Sequence, residues 1–195
     1  MSNDQQLHAA ELALSDEWPH EPGPDSAWQE SVFFTMQDAD AGVAATFRIG
    51  HEPNNGVGHC CFSITTSEGI GYQRSNRDIQ MSAGDRFSTG FSIDNFVTAT
   101  FEDGSCRWVA DDYDCSVDLT FKDSHLRYNV FGLMANATTN PKSEMEENFA
   151  SSSIAMSGQV TGTIRIGDKR WQIDGTGSRD HSWGNRHVRA IKNWT

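Results

Sequence analysis

No apolar run in this sequence approaches the roughly 18 residues that a membrane-crossing helix needs. The opening stretch, MSNDQQLHAAELALSDEW, is acidic and lacks the basic start and apolar middle of a secretory signal, so a cytoplasmic protein is expected. Basic residues are scarce: 15 Lys and Arg stand against 27 Asp and Glu, for a net charge of −12. Nucleic acids and anionic membranes need clustered Lys and Arg to displace counterions, so neither is an expected partner. There is no Walker loop, no HExxH and no closely spaced His/Cys group, and no metal site is expected. Cysteine is sparse and forms no CxxC pair. Cys60 and Cys61 are neighbours that would point to opposite faces of a strand, and with Cys106 and Cys115 they read as lone buried thiols. The sequons at Asn136 and Asn193 carry little weight without secretion.

What is present points to a folded all-β domain. The chain of 195 residues is 36% hydrophobic and 10% aromatic, enough for a real core. Residues 1–26 read as an irregular lead-in, with HAAELALSDEW a possible short helix stopped by PHEPGPDS. From Trp28 on, apolar residues alternate with polar ones. Val43, Ala45, Phe47 and Ile49 share one face, as do Cys60, Phe62 and Ile64, and then Tyr113, Cys115, Val117, Leu119 and Phe121. Asp103-Gly104 and Gly167-Asp168 sit between such runs as hairpin turns. Only NPKSEMEENFASSS offers a further helix. No βαβ spacing occurs, so a barrel or sandwich is expected.

Two spots concentrate chemistry. The first is GTGSRDHSWGNR, Gly175 to Arg186. A Ser–His–Asp relay is excluded there, because adjacent strand residues point to opposite faces and cannot hydrogen-bond in series. An extended chain instead gives two sets: Arg179, His181 and Trp183 on one face, Asp180 and Ser182 on the other. The first set could line a pocket in which the imidazole acts as acid or base and the indole faces developing positive charge. The same residues also suit a structural corner, with Asp180 accepting backbone N–H groups, Arg179 paired to a buried carboxylate and Trp183 filling core. The second spot is WQESVFF, Trp28 to Phe34. Glu30 lies among aromatics, where burial could raise its pKa and make it a proton donor, or where it could partner Arg179 or Arg186. His20, His51, His59 and His187 read as surface or loop residues, and HEPNNGVG as a loop between strands.

Three segments, SDEWPHEPGPDSAWQESVFFTMQDAD, GVAATFRIGHEPNNG and GQVTGTIRIGDKRWQIDGTGSRDHSWGNR, together resemble the lipocalin-like superfamily of hydroxyneurosporene synthase (carotenoid 1,2-hydratase), kievitone hydratase and fungal Diels–Alderases. The texture is most similar to bacterial members with a G-x-G-x-RDHSWG-x-R motif. The resemblance implies an antiparallel lipocalin-like (calycin) β-barrel or strongly curved sheet over residues 27–195, matching the first of two such domains. This chain ends at Thr195, about where a second would begin, so a homodimer or a second lipocalin-like domain is an expected partner. The resemblance also implies hydratase, lyase or cyclase chemistry on an isoprenoid-like or aromatic alkene, without an organic cofactor. His181 would then be the proton donor or acceptor, with Asp180 as supporting carboxylate or alternate acid and Glu30 as a further acid. Trp28, Trp183, Arg179 and Phe33 would contact substrate, and Gly175, Gly177, Gly184 and Arg186 would shape the motif. A non-catalytic protein holding a lipophilic ligand is the alternative.

Overall fold

In a computed structural model, residues 12–125, 127, 129 and 152–187 are described. The suggested helix over residues 140–151, the sequons and the terminal HVRAIKNWT beyond His187 lie outside them. Ser152 and Ser153, the end of the suggested helix, are strand.

The described residues form one eleven-stranded antiparallel sheet, curled into a half-barrel. Its strands are β1 (Trp28–Asp38), β2 (Val43–Glu52), β3 (Val57–Thr66), β4 (Gly71–Gln80), β5 (Arg86–Phe87), β6 (Gly90–Ile93), β7 (Val97–Glu102), β8 (Ser105–Asp111), β9 (Cys115–Asp123), β10 (Ser152–Ile166) and β11 (Lys169–Asn185). The order is β4-β3-β2-β1-β11-β10-β9-β8-β7-β6-β5, so the first strand is laced to the last and the ladder has two edges, β4 and β5. Every link but β1–β11 joins strands consecutive in chain order, which is a meander.

Alternation builds the curve. On β1 the residues Trp28, Glu30, Val32, Phe34 and Met36 turn inward, while Phe33, Thr35 and Gln37 turn outward. The expected inward faces of β2 and β3 are as read from sequence, and Asp103-Gly104 and Gly167-Asp168 make their turns. At Ile93–Phe96, Asp94 and Asn95 both take positive φ (58° and 49°), the type I′ geometry that suits a tight hairpin. One assignment fails: Tyr113 is 93% exposed, because the Asp112–Asp114 turn ends the alternation before β9 starts.

Aromatic rings fill one end of the interior. Phe34, Phe47 and Trp108 pack at centroid distances of 5.5–5.9 Å, Phe47 stacks on Phe62 at 3.8 Å, and Phe121 meets Phe34 edge-on. Side chains, not backbone, hold the free edge of β4 against the turns of the opposite wall. Arg74 reaches Asp94 at 2.5 Å and Asp112 at 2.9 Å, the Tyr72 hydroxyl donates to Asp112 at 2.5 Å, and the Arg74 guanidinium lies 4.3 Å over the Phe96 ring. All four cysteines are unpaired; three are buried and Cys61 is half-buried.

Candidate functional site

The motif runs along the second half of β11, and its extended backbone splits it as the alternation predicts. Arg179, His181 and Trp183 face inward; Asp180 faces outward. Three of its glycines are required by geometry. A Cβ on Gly175 would lie 2.3 Å from the Gln37 carbonyl oxygen and one on Gly177 2.4 Å from the Thr35 carbonyl oxygen, and Gly184 has φ of 125°, which other residues rarely adopt. Gly175 and Gly177 border open grooves on the outer side, lined by exposed residues such as Gln37, Ala44 and Thr176.

Inside, the ring of His181 is fully buried between two buried carboxylates. Nε2 lies 3.0 Å from Glu30 Oε1, and Nδ1 lies 3.4 Å from Glu17 Oε2, the latter a charge contact more than a hydrogen bond. Arg179 pairs with Glu17 at 2.6 Å and with Asp123 at 3.1 Å. Arg127 adds contacts to Glu17 at 3.5 Å and Asp123 at 3.9 Å. Arg86 pairs with Glu30 Oε2 at 2.6 Å. Three carboxylates thus meet three arginines and one imidazole. Around them stand Phe101, 5.6 Å from the His181 ring, Phe91 at 5.3 Å and Trp183 at 5.1 Å. On the solvent side, His20 stacks on Trp183 at 3.7 Å and reaches Glu30 through Nδ1 at 2.7 Å.

These contacts set the protonation states. Burial by itself would lower the His181 pKa, but Glu17 and Glu30 overcome it and push the imidazole up to about 9. Burial would raise the Glu30 carboxyl; hydrogen bonds from His181 and His20 and the charges of His181 and Arg86 hold it instead at about 2. Glu17 is likewise held below its ordinary value, against its burial, by His181 and Arg179. The site at neutral pH contains an imidazolium.

Several expectations are corrected by this geometry. Glu30 is not an acid with a raised pKa, and its partners are His181, His20 and Arg86 rather than Arg179 or Arg186. Asp180 does not support His181. It lies on the outer face and accepts from Ser153 Oγ at 2.5 Å and Ser182 Oγ at 3.0 Å. Phe33 shares that outer face, opposite Asp180 and Arg48 in the ladder, away from the buried site. Arg186 donates to Ser182 Oγ at 2.9 Å, and burial together with nearby Arg48 lowers it to about 10. Trp28 is buried and lies under Arg86 at 5.6 Å. His51 is fully buried rather than a loop residue, because HEPNNGVG closes a tight hairpin that leaves His51 inside β2. His59 is half-buried beside Arg48, and His187, which meets Asp25, is exposed.

Reading the sequence missed Glu17, His20, Arg86, Asp123 and Arg127. Glu17, in a 3-10 turn at Leu14–Glu17, and His20 come from the stretch read as a lead-in outside the core. The one signal that could have found them is the demand of a buried Arg179 and His181 for counter-charges.

His20, Glu30 and His181 hold ligand atoms within 4.8 Å of one another, a spacing that a metal ion could bridge. The charges fit poorly. Glu30 already carries Arg86 and the His181 imidazolium, and a divalent ion would add positive charge where cations already outnumber carboxylates.

Residues 13–195 match the family model described as a domain of unknown function, DUF7064. The chain belongs to the DUF7064 family. No curated protein matches it. Among solved structures, this DUF7064 chain is similar to a protein of Nitrosomonas europaea provisionally assigned as ATTH, with TM-score 0.55 and 14% identity over 89% of this chain and 55% of that one. It is also similar to CghA, with TM-score 0.51 and 13% identity over 86% and 51% of the two chains. CghA with Sch210972 gives TM-score 0.52 and 12% identity over 88% and 52%. The fold is lipocalin-like, and the chain spans about half the length of the structures it matches. Among the described residues, no helix is long and apolar enough to cross a membrane.

Proposed function

We propose that the chain is a lipocalin-like enzyme domain of the hydratase, lyase or cyclase type, acting without an organic cofactor on a lipophilic isoprenoid-like or aromatic alkene. The observation that carries this reading is His181, an imidazolium with no solvent exposure, set between Glu17 and Glu30 and ringed by aromatic faces. Transfer of its proton to an alkene carbon would create a carbocation. The two carboxylates, no longer neutralised by the imidazolium, would then hold that cation beside the faces of Phe91, Phe101 and Trp183. An acid with a pKa near 9 gives up its proton slowly, so most of the catalytic demand falls on stabilising the cation. Capture by water yields an alcohol, loss of a neighbouring proton an isomeric alkene, and internal capture a ring.

Residues 27–195 form the β domain in this reading, and the first 26 residues supply Glu17 and His20. A second lipocalin-like domain, contributed by another copy of the chain, would complete the substrate cavity, since this chain's aromatic rings fill much of its own interior. The likeness to the hydroxyneurosporene synthase and Diels–Alderase group supports the chemistry, and unpaired thiols suit a cytoplasmic location. One observation favours the non-catalytic alternative: both His181 nitrogens face carboxylates. Under that reading the barrel holds a lipophile unchanged.

The test incubates the purified chain with geraniol, farnesol and squalene in ¹⁸O-labelled water. The expected products are an ¹⁸O-bearing tertiary alcohol or an isomeric or cyclised alkene, formed by the wild type and not by His181→Gln. Saturable binding with no product would favour the ligand-holding alternative, and unchanged turnover in His181→Gln would remove His181 from the chemistry.

A further inference from the structure

The His181 ring has no solvent exposure, yet any proton it gives up must be replaced from outside. A proton crosses a protein along groups that can both accept and release one, each within hydrogen-bond reach of the next. Two carboxylates touch the ring, so two routes begin there. The first passes Glu17, 3.4 Å from Nδ1, and among the described residues leads only to Arg179 at 2.6 Å and Arg127 at 3.5 Å. Guanidinium groups in proteins do not give up their protons, so this route is closed.

The second route runs through Glu30. Its Oε1 accepts from His181 Nε2 at 3.0 Å and from His20 Nδ1 at 2.7 Å, so one oxygen joins two imidazoles whose centroids are 5.6 Å apart. Arg86, on Oε2, is another guanidinium and carries nothing. Glu30 is fully buried, whereas the His20 side chain is 24% exposed. His20 is therefore the group on this path that meets water, and an imidazole takes up and releases protons near neutral pH.

The site itself fixes His20 in place. The chain from Pro19 to Pro22 has no regular structure, and its two prolines reduce the freedom that is lost when it is ordered. The His20 backbone N–H donates to both Glu30 oxygens at 3.2 Å, and its carbonyl accepts from Arg86. Its ring lies on Trp183 at 3.7 Å and 15° from parallel. Trp183 stands 5.1 Å from His181 as well, one wall for both imidazoles.

We propose that His20 is the proton relay between solvent and His181, working through Glu30 Oε1. A proton leaves His20 Nδ1, whose N–H electrons stay on nitrogen, and bonds to a lone pair of Oε1. The O–H turns about its C–O bond and passes the proton to His181 Nε2 when that nitrogen holds a lone pair. His20, now neutral, takes a proton from hydronium or a buffer acid. Glu30 suits a group that passes protons on rather than keeping them: against its burial, hydrogen bonds from His181 and His20 and the charges of His181 and Arg86 hold its carboxyl at about 2. The path itself needs no substrate; its use in turnover rests on the hydratase reading, in which His181 gives its proton to an alkene.

Exchange of the His181 ring N–H with solvent, followed by ¹⁵N–¹H NMR of the full chain at neutral pH, tests the relay without substrate. The signal is the one lost in His181→Gln. His20→Phe keeps a ring on Trp183 and His20→Gln keeps a side-chain N–H for Glu30, but neither carries protons. Each should slow the exchange by about 100-fold, the size of one general acid–base contribution, while the indole N–H of buried Trp108 exchanges as before. Free imidazole should restore the exchange in His20→Ala and not in His20→Phe, whose ring fills the space. A purely structural His20 predicts the opposite sign, because a loosened site exchanges faster. Unchanged or faster exchange overturns the relay, and if one variant does not fold the other decides. With farnesol as substrate, the same variants should lower kcat and leave KM unchanged; undiminished kcat overturns the use of the relay in turnover. No turnover by the wild type overturns the hydratase reading, and the exchange rates still decide the relay.

Discussion

The interior of this half-barrel has two ends built on opposite principles. At one end Phe34, Phe47, Phe62, Trp108 and Phe121 interlock as rings within an apolar cluster. At the other, Glu17, Glu30, Arg179 and His181 are as deeply buried but are charged, with Arg86 partly exposed beside them. Burying rings is favourable in itself, by about 1.5–3 kcal/mol for a side chain such as Phe. Burying ions is not; each must recover its lost hydration from a partner, and replacing such pairs by packed apolar groups is often neutral or stabilising. The same strands β1 and β11 run through both ends, so the ionic end is not imposed by the fold. That contrast is why we place the chemistry there.

The comparison breaks most visibly when one member of each end is removed. Trp108→Ala and Arg179→Ala should each cost about 3–5 kcal/mol in urea unfolding, the first through a cavity and the second by leaving Glu17 and Asp123 buried with less counter-charge. The two losses should differ in pH dependence, the first being flat.

Next in size is the pH profile of the wild type. His181 is raised from 6.5 to about 9 in the fold, so its contribution is complete below pH 6.5 and is lost as pH rises through 9, by about 3 kcal/mol. His51 is lowered to about 4, so the unfolded chain takes up a proton that the fold refuses as pH falls from 6.5 towards 4. Stability should therefore peak near pH 6.5, and His181→Gln should flatten the alkaline side in urea titrations across pH. A peak above pH 9 would contradict the assigned states.

Smaller effects belong to the frame. Gly177→Ala should cost about 1–3 kcal/mol in thermal unfolding, because its methyl would press on the Thr35 carbonyl and on Val160. Tyr113→Ser, at an exposed turn belonging to neither end, should change stability by less than about 0.5 kcal/mol.

The aromatic end was legible in the sequence and the ionic end only half so, for a physical reason. Strand alternation has period two, so Phe47, Phe62 and Phe121 announce their face locally, and the same rule sorted Arg179, His181 and Trp183 from Asp180. Glu17 and His20 sit on backbone without a period, and Asp123 and Arg86 at strand ends; their burial is decided by partners far away in sequence. The failures follow from the same limit. Asp180 was joined to His181 by nearness in sequence, and Glu30 was given a raised pKa because its aromatic neighbours were visible and its cationic ones were not. His51 was lost to the turn signal that follows it.

One feature of the fold bears on how the interior could be reached at all. Between β4 and the opposite wall there is no ladder, only Arg74 and Tyr72 fastened to Asp94 and Asp112, groups about one-third exposed. A ladder answers to heat and denaturant; a fastening of this kind answers to ionic strength, because exposed pairs are screened within about 10 Å at 0.1 M salt. The half-barrel is a cuff with a clasp, and salt alone should loosen the clasp while the woven cloth of β1 and β11 holds.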